Sequence, residues 1–244
     1  IEKDTSLEPD EHSSTGLEIV SPPMPLKMTL EKLQDVYDWA HSAEGDAYTN
    51  ESTGLHMNIS IPYKGGDVDY VKLIMFMGDE YILKKFERDG NFYCKSAFRR
   101  IADTNLPIAK KQGLLEASTV DPVGAIDLIQ KNLIELASRY VQDGVGIDKY
   151  TSAHIKGGKN GKPAYIEFRS PGGNYLNKKP ETLTNTMLRF ARALQIAGNP
   201  AAYRKEYAKK LTKMLTAPDR PVKVDPEKGG RERRVYPSEQ NKFF

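Results

Sequence analysis

The stretch Tyr165-Ile166-Glu167-Phe168-Arg169-Ser170 carries the residue types best suited to chemistry. Extended as a strand, it sets Tyr165, Glu167 and Arg169 on one face and Ile166 and Phe168 on the other. A carboxylate beside a guanidinium suits a site that holds a divalent cation and a phosphate together, with Glu167 ligating the metal and Arg169 forking onto phosphate oxygens. The bland alternative is a structural ion pair, which accounts for a lone Glu-x-Arg more often than catalysis does.

Other segments repeat the design. Gly54 to Ile61 alternates strictly, with Leu55, Met57, Ile59 and Ile61 on one side and His56, Asn58 and Ser60 on the other. Leu17-Glu18-Ile19-Val20, ending at Ser21-Pro22-Pro23, opposes Glu18 to Leu17 and Ile19, and Tyr150 to Lys156 opposes Ser152 and His154 to Ala153 and Ile155. Four strands therefore read apolar on one face and polar on the other, as in an antiparallel sheet with helices on one side and a cavity on the other. His154 would either line that cavity or simply fill it.

The elements that must hold such a sheet are helices. From Thr29, residues Leu30, Leu33, Val36, Tyr37 and Ala40 recur at helical spacing as a core stripe, with Pro25 before them and Gly45 after. A second helix is predicted over Val68 to Phe86, with Val71, Ile74, Met75, Ile82 and Phe86 inward and Lys72, Asp79 and Lys84 outward. Within it Glu80 reads as a solvated carboxylate, or as one that reaches the site. Two more are predicted, from Pro122 to Gln142 and from about Glu181 to Ala197, the latter stopped at Gly198-Asn199-Pro200. No glycine-rich phosphate loop follows a strand, which argues against a doubly wound dinucleotide fold, and no repeat period is visible. The glycine-rich basic stretch 156–163 reads as a long hairpin turn or as a cover for a nucleotide. Ser170-Pro171-Gly172-Gly173-Asn174-Tyr175 is expected to contact substrate, its glycines letting backbone amides approach an anion.

Taken in order, Asp4-Thr5-Ser6-Leu7, Leu17 to Pro22, Ser52 to Asn58, Arg88 with Asn91-Phe92-Tyr93-Cys94, and Ile166-Glu167-Phe168-Arg169 resemble the motif series of the amidoligases. These belong to the glutamine synthetase and glutamate-cysteine ligase superfamily of carboxylate-amine ligases, and the resemblance covers about residues 4 to 198. It implies an α+β, glutamine-synthetase-like catalytic domain, with a curved antiparallel sheet and helices on one face. It implies a phage or bacterial source, and ATP- and Mg²⁺-dependent amide-bond formation through an acyl phosphate. The site residues it implies are Glu18, Glu167, His56 and Asn58 on the metal. Arg169, Arg88, His56 and Asn58 would meet the nucleotide, and Arg169, Glu167 and His56 would carry catalysis. The substrates would be a small-molecule or peptide carboxylate and an amine.

Two departures from the family pattern stand out. Asn58 occupies the place of the second histidine of a His-x-His strand, offering a neutral amide oxygen. The family's opening Glu-x-Glu strand is also missing before Ile1. Either an upstream segment or another chain supplies it, or the site has fewer acidic ligands.

Composition sets the outer bounds. With 244 residues, 39% hydrophobic and 28% charged, the chain is expected to be a soluble globular protein with a substantial core. No apolar run approaches the about 18–20 residues of a membrane span, and no leader is visible at Ile1, so a cytoplasmic location is expected, with a virion as the alternative. The single cysteine, Cys94, excludes an internal disulfide and is expected to pack among aromatics. The expected units are the ligase-like domain 1–198, a basic amphipathic helix 199–217 around Tyr203, Tyr207, Leu211 and Leu215, and an extended basic tail 218–244. Protein partners would bind through residues 199–244 or within a larger assembly. A net charge of +3 gives no large positive field, so neither nucleic acid nor membrane is expected as a partner. Three readings follow: an active ligase, a catalytically degenerate ligase-like domain acting as a structural or binding module of an assembly such as a phage virion, and, third in order, a nucleic-acid-binding adaptor working through the basic tail.

Overall fold

In the computed structural model, strand β5 (Ala164–Phe168) runs between two antiparallel neighbours, β3 (Met57–Ser60) and β4 (Ala153–Gly157). The structure describes residues 1–5, 7, 16–60, 68–91, 94–97, 151–157 and 164–216, with the side chains of 154–157, 164 and 211–216 outside that description. The register places Met57, Phe168 and Ala153 in one rung, Asn58, Glu167 and His154 in the next, and Ile59, Ile166 and Ile155 in the one after. Directly opposed residues share a face, so the apolar and polar rungs alternate sides as the sequence pattern requires. Residues 158–163, most of the glycine-rich basic stretch read as a turn or as a cover for a nucleotide, lie outside the described residues.

The apolar face packs on helices. Met57, Ile166 and Phe168 join a core with α2 (Tyr70–Met77) and α4 (Pro180–Ala197). In α4 the buried residues Leu183, Met187, Phe190, Leu194 and Ala197 recur every three or four positions and make one stripe. Phe190 stacks on Phe168 at a centroid distance of 4.2 Å, fastening helix to sheet. Helix α1 (Leu26–Ala40) begins directly after Pro25, and Leu30, Leu33, Tyr37 and Ala40 pack inward as expected, whereas Val36 is exposed.

Three expectations are corrected. The helix predicted over 68–86 is two helices, α2 and α3 (Asp79–Lys85), divided at Gly78, whose φ of 70° is the left-handed conformation that ends helices. Lys72 and Asp79, expected outward, are 1% and 0% exposed. Helix α2 is buried from Val71 to Met77 and has no polar face to turn outward, so Lys72 reaches the Asn199 carbonyl at 2.8 Å instead. Asp79 opens α3 in the enclosed corner, where Ser96 Oγ donates to it at 2.8 Å.

The third correction concerns Glu18. Strand β2 (Gly16–Glu18) pairs with β1 (Glu2–Asp4) in a separate two-stranded ribbon, Glu18 opposite Glu2, and Leu17, Ile19 and Val20 are exposed. Pro22 and Pro23 cannot donate to a ladder, which confines this strand to a short local pairing. Helix α5 (Arg204–Thr216) follows α4, with Tyr207 buried on it. The predicted helix 122–142 and the tail 218–244 lie outside the described residues. The architecture is α+β: helices with small antiparallel sheets.

Candidate functional site

The polar face of the three-stranded sheet centres on Glu167. It is 3% exposed, because it sits on the middle strand with a neighbour on each side. A carboxylate in that position needs compensating charge or hydrogen bonds. Arg169 Nη1 donates to Oε2 at 3.2 Å, and His56 Nδ1 lies 3.9 Å from Oε1, within ion-pair range but beyond a hydrogen bond. Asn58, exposed, and His154 flank Glu167 on the same rung.

Arg169 leaves the strand in a particular way. Its amide and that of Ser170 both donate to the Ser152 carbonyl, at 2.6 and 3.2 Å, the two-against-one pattern of a β-bulge that re-aims a side chain at a strand end. Ser152 Oγ in turn accepts from the Ala97 amide at 2.9 Å. Sequence reading put Ser152 on the polar face but gave it no role. The only signal was its place two residues before His154.

Arg88 follows α3 and is buried, and burial holds its guanidinium below the ordinary arginine pKa. Its Nη1 donates to the carbonyls of Arg169, at 3.1 Å, and Pro171. Cys94 Sγ shares the Arg169 carbonyl at 3.0 Å, and burial pushes this thiol up to about 12, so Cys94 packs as an inert thiol. The loop expected to meet substrate is itself enclosed: Ser170 to Gly173 are buried, Gly172 bridges to Gly54, and the Gly173 amide donates to Thr53 O at 2.8 Å.

The structure therefore brings together His56, Asn58, Glu167 and Arg169. Arg88 stands behind Arg169 on its main chain, and Glu18 is carried on the separate ribbon. Among the described residues no group of three or more His, Cys, Asp and Glu converges as a metal centre. Glu167 and Asn58 offer one carboxylate and one amide oxygen from a single rung. That set fits Mg²⁺ held largely by phosphate oxygens and water through one or two carboxylates, and does not fit an all-protein cage. Compared with known protein families, curated proteins and solved structures, the chain matches none of them.

Proposed function

We propose that this chain is a carboxylate-amine ligase domain of the glutamine-synthetase-like type, in which ATP activates a carboxylate as an acyl phosphate and an amine displaces the phosphate. The observation that carries the reading is the buried Glu167 on the middle strand, with Arg169 and His56 at its two oxygens and Asn58 in its rung. Phosphoryl transfer depends mainly on positioning and on neutralising charge spread over phosphate oxygens. Magnesium, when bound, would supply most of that neutralisation. Glu167 and Asn58 would hold the cation. Arg169, whose buried Nε makes no hydrogen bond, has donor capacity left for a phosphate oxygen. His56, with a third of its side chain exposed, stands where it can meet ligand from solvent.

Calorimetric titration of Mg²⁺·ATP tests this on the intact chain and on a Glu167→Ala/Arg169→Ala variant. Dissociation constants of about 1–100 μM for the intact chain, lost in the variant, are expected. An intact chain that takes up no nucleotide would sink the ligase reading.

A second reading is favoured by one feature. Both Glu167 oxygens already face a basic side chain, Arg169 at one and the His56 ring at the other, as in a structural pairing, which suits a ligase-like domain serving as a binding or structural module. On that reading the double variant loses stability and no ligand binding changes.

A further inference from the structure

Arg88 is a buried guanidinium whose described hydrogen bonds go to main-chain carbonyls, those of Arg169 and Pro171, while its Nε makes none. An arginine kept for an anion would turn its fork toward the ligand. This one grips the backbone that carries another arginine. The Arg169 peptide groups are held from both sides: Ser152 O receives the amide, and Arg88 and Cys94 Sγ donate to the carbonyl. Gly172 completes the fit. At a φ of 142°, a Cβ there would stand 2.5 Å from the Thr53 carbonyl oxygen and against Arg88 Nη1, so the absence of a side chain is what lets the guanidinium close on Pro171.

We infer that Arg88 is a positioning residue: it clamps the main chain after β5 so that the Arg169 guanidinium stays against Glu167, and it does not itself contact a ligand. The link to phosphate binding rests on the ligase reading above; the clamp itself does not.

The clamp can be sprung from two directions. Arg88→Lys keeps the charge but shortens the reach and replaces the rigid planar guanidinium with a flexible ammonium, which is not held against the Arg169 and Pro171 carbonyls as Nη1 is. Gly172→Ala leaves the guanidinium in place and obstructs it, and it carries the test if Arg88→Lys fails to fold. Circular dichroism and melting midpoints define a temperature at which each variant is folded. Two nucleotide-free readouts follow there: the His56 ring resonances at fixed pH, assigned with His56→Gln, and the rate of Cys94 alkylation by iodoacetamide.

Both variants are expected to move the His56 resonances, because Arg169 and His56 share the Glu167 carboxylate. They are expected to speed Cys94 alkylation by about tenfold or more, because the thiol shares the clamped carbonyl. Mg²⁺·ATP binding should weaken by about tenfold. Lys178→Ala, which removes a surface partner of Glu87 at 2.9 Å, should move none of the three. Unmoved His56 resonances in both variants would overturn the inference, as would moved resonances with undiminished nucleotide binding. A wild-type chain that ignores Mg²⁺·ATP would sink the ligase reading alone, since the resonances and the thiol report without nucleotide.

Discussion

At Cys94 a single atom reports on how the interior is closed. The thiol is 1% exposed, and burial lifts it from an ordinary 9.0 to about 12. A group whose folded pKa is raised contributes stability that is fully present below its unfolded value and lost as pH rises through its folded one. The window is therefore pH 9 to 12, and half-buried Tyr70 and Tyr175 and buried Tyr207, all raised by desolvation, lose stability in the same direction. Denaturation midpoints measured from pH 7 to 10.5 should fall above pH 9 and fall less steeply in Cys94→Ala. Equal slopes would mean that the native thiol titrates freely. At pH 8 its alkylation should keep pace with global unfolding. At this scale the burial of Cys94 was readable from the aromatic residues beside it in the sequence, which themselves lie outside the described residues. The main-chain grip of Arg88 was not legible, because its partners are carbonyls of residues about 80 positions on, and carbonyls carry no residue signature.

Between elements, the joint of α5 on α2 is polar inside. Asp69 caps α2 through the Lys72 amide at 2.9 Å and accepts from Tyr207 Oη at 3.1 Å, while Lys72 Nζ sits 5.7 Å from the Tyr207 ring centroid. Tyr207→Phe removes one hydrogen bond to a charged acceptor and should cost about 1–2 kcal/mol. Tyr207→Ala also opens a void, should cost about 3–5 kcal/mol, and should let trypsin cut in α5 first. Burial lowers the Lys72 pKa, so its charge works against folding at neutral pH and less so as pH rises toward 10.5. Lys72→Met should accordingly stay within about 1.5 kcal/mol of wild type in urea melts, and a larger loss would show that the bond to Asn199 O outweighs desolvation. Helices with one apolar stripe, such as α4, were legible from spacing. Helix α2 was not, because Val71-Lys72-Leu73-Ile74-Met75-Phe76-Met77 is apolar all round and its one cation offers no face to read. Gly78 was the available signal for the break.

In the whole molecule, class and layering followed from alternation, since a period of two with apolar residues on one side leaves few other arrangements. Glu18 defeated the same rule: alternation says which face a strand buries but not which strand it joins, and a three-residue strand closed by prolines pairs with whatever lies near. The order β3-β5-β4 has a consequence in time. Among the described residues β3 and β4 are the outer strands and can peel while the inner one stays latched on both edges, so the strand carrying Glu167 and the backbone leading to Arg169 is the last of the three to open. Native-state hydrogen exchange should find the Ile166 and Phe168 amides among the slowest in the chain, and those of β3 and β4 faster. Exchange from β5 as fast as from its neighbours would contradict this. If the ordering holds, Asn58 and His154 can come and go on strands that breathe around a fixed carboxylate, and a ligand could enter without the charged centre ever coming apart.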